Sequence, residues 1–96
     1  MAYAFSSGMS AVFALLSALP EGSHVIIPDD VYYGVRKLLA GKLVGGGVTF
    51  SEVDMTSIPE IERNVRDNTR LVWVETPSNP TCKISDIGAI TEAVRA

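Results

Sequence analysis

The stretch from Glu75 to Pro80 puts a carboxylate, an amide and two prolines directly after the apolar run Leu71 to Val74. The run reads as a buried strand, so these polar groups stand at that strand's carboxyl end. In open α/β sheets ligands bind beyond the carboxyl ends of the strands. Pro77 and Pro80 restrict the backbone, so Glu75 and Asn79 are held rather than left to wander. A plainer reading competes with this one: a proline-rich turn leaving a strand. The turn is tight, and one or both of the X-Pro bonds at Pro77 and Pro80 is expected to be cis.

Two other segments repeat the pattern. Ala2 to Phe5 reads as a short strand that runs through Ser6, Ser7 and Gly8 into the apolar segment Met9 to Leu19. Gly8 then marks the change from strand to helix. The free N–H groups and positive dipole end of a helix start bind phosphate. Gly8 permits close approach of an anion, and Ser7 can add a hydroxyl or simply cap the helix. In the third segment, Val25 to Gly34, the run Val25-Ile-Ile ends in Pro28, Asp29 and Asp30, and Tyr32 and Tyr33 follow. A tyrosine there can offer a flat face to a ring or pack on the flank of the sheet. In a parallel sheet all three strand ends meet at one edge. Phosphate, ring and carboxylate–amide chemistry would then converge there.

Ser6 to Ser10, Asp29 to Gly34 and Leu71 to Pro80, in this order and spacing, resemble blocks of the pyridoxal-phosphate-dependent enzymes of cysteine and methionine metabolism. This is the transsulfuration family of the cystathionine γ-lyase and γ-synthase type, and the resemblance covers essentially the whole chain. It implies the mainly parallel three-layer α/β/α large domain of fold type I, with residues 1–96 as its amino-terminal portion. It implies pyridoxal 5′-phosphate as cofactor and a sulfur-containing amino acid as substrate, with elimination or replacement at the β or γ carbon. By the same resemblance, Gly8 and Met9 hold the cofactor phosphate through their backbone N–H groups, beside Ser7. Tyr32 stacks on the ring, Asn79 bonds its 3-oxygen and Glu75 supports the same wall, while Tyr33 is assigned to packing. A homotetramer in the cytoplasm is implied for the intact protein.

The departures set further expectations. The family's aspartate that pairs with the pyridine nitrogen, and the lysine that holds the cofactor covalently, match nothing here. Lys37, Lys42 and Lys83 lie in no such motif and are expected to face solvent, so no catalytic residue is assigned. The resemblance also implies that the strand of residues 2–5 is separated from Leu71 to Glu75 by strands this sequence does not encode. Few or no ladder partners are then expected for it. A different class stays open: a non-catalytic α/β unit serving in interaction, its motifs a relic. A Rossmann nucleotide site is disfavoured, because Gly-x-Gly-x-x-Gly is missing.

These groups need elements to position them. Residues 9–19 are apolar nearly all round and read as a buried helix. His24 to Pro28 reads as a buried strand. Val35, Leu38, Leu39 and Leu43 recur at helical spacing, giving an amphipathic helix over 33–43. Gly45 to Gly47 reads as a turn. Val48 to Val53 alternates like a strand nearer the sheet edge. Ser57, Pro59 and Glu60 have the form of a capping box, with Ile58, Ile61 and Val65 on one face of a helix closed by Asn68. Ser85 caps a last helix with Ile87, Ile90 and Val94 inward. Alternating strands and helices imply a mostly parallel sheet with right-handed crossovers.

Ninety-six residues with net charge −3, from 8 basic and 11 acidic side chains, hold no basic run. Nucleic acid and anionic membrane are therefore not expected partners. The 47% hydrophobic content and mean hydropathy of +0.24 suit a segment covered on several sides. No apolar stretch is long enough to span a bilayer, and no basic leader is read. Cys82 stands alone, which suits a reducing cytosol and leaves it inert. His24 has no metal-ligand partner at recognisable spacing, so no metal is expected. Trp73 is read as packing, and Asp29 and Asp30 as caps for the next helix.

Overall fold

Three β-branched residues in a five-residue run set the centre of this fold. The computed structural model describes residues 1–41 and 45–95. In it β1 (His24–Pro28) is buried at all five positions. It pairs in parallel with β2 (Thr49–Val53) on one side and β3 (Thr69–Val72) on the other. Parallel neighbours need crossovers. These are α2 (Tyr33–Ala40) between β1 and β2, and α3 (Ile58–Asn64) between β2 and β3. Before β1 comes α1 (Gly8–Ser17), and α4 (Ile87–Arg95) follows β3.

Successive strand residues point to opposite faces, and the core divides accordingly. Val25 and Ile27 pack with Leu16 of α1 and with Val35 and Leu39 of α2. Ile26 points the other way, to Val53, Met55, Ile61 of α3 and Ile90 of α4. The result is the α/β/α sandwich expected, with β2 at a sheet edge. The turn at Gly45 to Gly47 is also present, with Gly46 and Gly47 at φ 77 and 64, a region that glycine enters without a Cβ clash.

Local chemistry explains where several elements begin. Ser7 caps α1, accepting the Ser10 N–H at 3.1 Å. Ser57 caps α3 through the Glu60 N–H at 3.4 Å, and Pro59 occupies the first turn. The capping box is only half closed. Glu60 Oε1 accepts instead from the Asp54 N–H at 3.2 Å and so ties down the loop after β2.

The structure corrects the sequence reading in particular places. Residues 2–5 are exposed and form no strand. No strand lies beside them, and unpaired backbone belongs in water. The expected shortage of ladder partners is thus met without a strand. On α1 only Leu16 is buried, while Phe13 and Leu15 are each 45% exposed. The fold covers only one side of this helix. The ladder of β3 starts at Thr69, before Leu71, and stops at Val72, although the Trp73 N–H still reaches Ile26 O at 2.8 Å. Asn64, not Asn68, ends α3; Asn68 instead donates its amide to Gly22 O at 2.9 Å and accepts the His24 N–H at 2.8 Å. Asp86, not Ser85, caps α4, accepting from the Ala89 N–H at 2.9 Å. The Ser85 N–H goes to Thr76 Oγ1 at 3.0 Å, and Ile87 faces outward. Lys42 and Leu43 lie outside the described residues. Both the Thr76–Pro77 and Asn79–Pro80 bonds are cis.

Candidate functional site

The loops leaving β1 and β3 run to helices on opposite faces of the sheet. Between adjacent parallel strands this divergence opens a crevice at their carboxyl ends. A cavity of about 370 Å³ fills it, within the range of small-molecule sites. Ser7, Gly8 and Met9 from the first turn of α1 form one wall. Tyr32, Trp73 and Glu75 form the other, over Val12 and Val35.

Each wall has a distinct chemistry. The Ser7 hydroxyl is committed as acceptor to Ser10 N–H and lies 2.9 Å from Ser10 Oγ. The N–H groups of Gly8 and Met9 have no hydrogen-bond acceptor among the described residues. A Cβ at Gly8 would meet nothing within 4 Å, so the space over these donors is open. The Tyr32 ring is half-exposed at the mouth. Its backbone is anchored by Glu75, whose carboxylate oxygens accept the Tyr32 N–H at 3.0 and 3.3 Å. Glu75 Oε1 also accepts from Trp73 Nε1 at 3.0 Å. One carboxylate therefore joins the end of β3 to the loop after β1.

Gly34 shapes the same wall. A Cβ there would stand 2.7 Å from Met9 Sδ and 3.0 Å from Tyr32 Cε1. Its bare backbone lets the Met9 side chain and the tyrosine ring close over the start of α2. Tyr33 points away, 68% exposed, with Lys37 Nζ 5.6 Å from its ring centre. It does not pack on the sheet as expected. Asn79 stands apart from the cavity lining, exposed in the loop that continues from Glu75. The structure thus brings Ser7, Gly8, Met9, Tyr32 and Glu75 together and leaves Asn79 in the adjoining loop.

That loop is fastened by residues that the sequence reading took for helix caps or left aside. Asp29 and Asp30 do not cap α2, whose N-cap is Tyr32. Asp30 Oδ2 accepts from Thr81 Oγ1 at 2.7 Å. Thr81 spends its proton there, so at 2.9 Å Ser78 Oγ is the donor to Thr81. Ser78 Oγ in turn accepts the Lys83 N–H at 2.9 Å. Asp29 pairs with Lys83 Nζ at 3.4 Å, so Lys83 is not simply solvated. The Thr81 hydroxyl first, and then the nearby Ser78 hydroxyl, hold the Asp30 carboxyl below its ordinary pKa of 3.8, assisted by Lys83. At Lys83 desolvation is the largest single effect and lowers the pKa, but Asp29, Asp54 and Asp30 together outweigh it and the net shift is upward. The signal for this fastening was two aspartates directly after a buried strand, at the edge where the other loops arrive.

Two further hollows lack such convergence. One of about 310 Å³ beside β3 contains only Arg70 as a charged side chain, and its guanidinium bonds Asp67 O and Thr69 O. Another of about 390 Å³, between Tyr3, Phe5 and the outer face of α1, is lined by apolar and aromatic side chains. Among the described residues no cluster of His, Cys, Asp and Glu could hold a metal ion, and no helix is long and apolar enough to cross a membrane.

Comparison with known proteins places this geometry. The sequence model of the Cys/Met metabolism PLP-dependent enzyme family matches residues 1–96. Cystathionine beta-lyase MetC of Staphylococcus haemolyticus is 46% identical over 89 residues, covering 93% of this chain and 23% of that protein. Cystathionine gamma-lyase of Bacillus subtilis is 38% identical over 93 residues, 97% of this chain and 24% of that protein. The crystal structure of metB from Corynebacterium glutamicum superposes with a TM-score of 0.88 at 36% identity. It is covered to 24%, against 95% of this chain. Cystathionine gamma-lyase from Lactobacillus plantarum, solved with L-serine, gives a TM-score of 0.88 at 34% identity over the same shares. The chain spans about a quarter of the length of these relatives. With the sequence matched from end to end and the fold shared, this chain belongs to the Cys/Met metabolism family of pyridoxal-phosphate-dependent enzymes.

Proposed function

We propose that the chain forms the phosphate-and-ring side of the cofactor site of a carbon–sulfur lyase or transsulfuration enzyme acting on sulfur amino acids. Elimination or replacement at the β or γ carbon is the reaction class. The observation that carries this reading is the pair of unclaimed N–H groups at Gly8 and Met9, facing an aromatic ring across one cavity. The residues present fit pyridoxal 5′-phosphate. A helix start with free donors suits a dianionic phosphate. Tyr32 suits an aromatic ring, and the Asn79 amide suits its 3-oxygen.

When bound, the cofactor supplies an electron sink for the bond broken at the substrate's Cα. The work of this chain's own residues is binding and orientation. Gly8 and Met9 donate their N–H groups to the phosphate, Ser7 keeps the first turn of α1 in shape, and Glu75 ties the Tyr32 backbone to the Trp73 indole. Lys83, paired with Asp29 and raised in pKa, makes a poor covalent anchor, because a nucleophilic amine needs a lowered pKa. Cystathionine or a related sulfur amino acid is the substrate we assign to the intact enzyme, with a homotetrameric assembly and a cytoplasmic location.

Trp73 is the single tryptophan and lines the cavity, so its emission reports occupancy. Titration with pyridoxal 5′-phosphate should quench it saturably, and pyridoxal lacking the phosphate should quench it far less. Gly8→Ala should fold normally, since its Cβ meets open space, yet lose about tenfold in affinity as the methyl intrudes on the anion. Borohydride reduction followed by mass spectrometry should find no lysine labelled in stoichiometric amount. Equal quenching by both compounds, with Gly8→Ala unchanged, would defeat the assignment.

A further inference from the structure

We propose that Asp30 is a positioning residue: through Thr81 and Ser78 it locks the loop carrying Asn79 onto the loop carrying Tyr32. This deepens the reading above and rests on it. The two loops leave adjacent parallel strands and run to opposite faces of the sheet, so the fold alone leaves them free to part. Past the Glu75 carboxylate, which holds the Tyr32 N–H, they are joined at two further points. Asp30 Oδ2 accepts a hydrogen bond from the Thr81 hydroxyl at 2.7 Å, and Asp29 pairs with Lys83 at 3.4 Å. Around these points the loop is closed on itself from Ser78 to Lys83. The Ser78 N–H meets Lys83 O at 3.0 Å, and the Cys82 N–H meets Ser78 O at 2.9 Å. The Lys83 N–H meets Ser78 Oγ at 2.9 Å. Ser78 is buried, and Asn79 is its chain neighbour. The backbone that carries the amide is therefore set by a ring of hydrogen bonds, and the Thr81 hydroxyl fastens that ring to Asp30 on the β1 side. Charge-assisted hydrogen bonds of this kind are short and strong, which suits a part that must not drift. Asp29 and Lys83 make the looser of the two ties, being longer and partly solvated. Chemistry at a bound ring tolerates little misplacement of its partners.

The test uses isotopically labelled chain, its Asp30→Ala and Thr81→Val variants, and Thr81→Ser, which keeps the hydroxyl. Amide exchange at Ser78, Cys82 and Lys83 in the absence of ligand reads the lock itself. Trp73 quenching by pyridoxal 5′-phosphate reads the ring side of the site, and inorganic phosphate, followed at the Gly8 and Met9 amides, reads the helix start alone. Asp30→Ala and Thr81→Val should speed exchange at the three loop amides and weaken pyridoxal 5′-phosphate, each by about tenfold. Inorganic phosphate affinity and β1 exchange should hold, and Thr81→Ser should behave as the parent. Unchanged loop exchange would overturn the lock. Faster exchange with unchanged pyridoxal 5′-phosphate affinity, or an equal loss of phosphate affinity, would overturn the positioning role. If the parent chain binds phosphate but shows no preference for the pyridoxal form, the cofactor reading fails and the role falls with it, while loop exchange still decides whether the lock exists.

Discussion

Glu75 shows how much one side chain can settle at the residue scale. Its carboxylate accepts from the Tyr32 backbone and from the Trp73 indole, which lie in different loops. Glu75→Ala should destabilise the chain by about 1–3 kcal/mol and shift Trp73 emission to the red, measured by urea unfolding and fluorescence. Glu75 and Asn79 were legible as a pair because a carboxylate and an amide after an apolar run are out of place in a plain turn. Their separation was not legible, since it depends on how the loop folds after Pro77. His24 gives a second test. It is fully buried, with Nδ1 2.8 Å from Thr69 Oγ1 and Nε2 2.9 Å from Ser51 Oγ. Burial first, and then Arg66, push its pKa below 6.5. The unfolded chain takes up a proton near 6.5 that the folded chain refuses until lower pH. Stability should thus be full above 6.5 and fall as pH drops below it. The urea midpoint should be steady near pH 8 and decline from about pH 6.5 toward about pH 5.5, and His24→Gln should flatten that slope. The bland sequence reading of His24 as structural agrees with its two hydroxyl partners.

At the scale of elements, the sequence spoke clearly where periodicity and chain chemistry agreed. β1, β2 and α2 were readable because β-branched runs, alternation and a helical stripe each have one interpretation. Element ends were harder, because Asn68, Ser85 and Asp86 are all competent caps and only tertiary partners choose among them. Glu60 is instructive. The capping-box pattern predicted a bond back to Ser57, but the carboxylate serves the loop after β2 instead. Ser57→Ala should therefore cost about 1 kcal/mol by removing the cap alone. Glu60→Ala should mainly speed exchange at the Asp54 amide and leave the first turn of α3 in place. Gly34→Ala tests the wall of the cavity. The added methyl meets the flexible end of Met9 and the edge of Tyr32, so the stability cost should stay within about 1 kcal/mol while cofactor affinity falls.

For the whole molecule, the covering of the sheet is uneven. The second face is closed by α3 and α4, whereas α1 exposes Phe13 and, beside Tyr3 and Phe5, Leu15. Nothing in the sequence of α1 announced this, because an all-apolar helix reads as buried whatever is available to cover it. Apolar surface of this kind drives self-association. Light scattering should show concentration-dependent association, and Leu15→Glu should reduce it without changing the far-UV spectrum. The strand order carries a different consequence, one for synthesis. The most apolar strand, β1, leaves the ribosome before either neighbour it will pair with. Its first edge is claimed by β2, but its second stays open until β3 appears roughly forty residues later, a delay of about 2–9 s at ordinary translation rates. During that interval Ile26 has no β3 beside it and no α4 over it, so the nascent chain presents a sticky half-sheet that a chaperone would recognise.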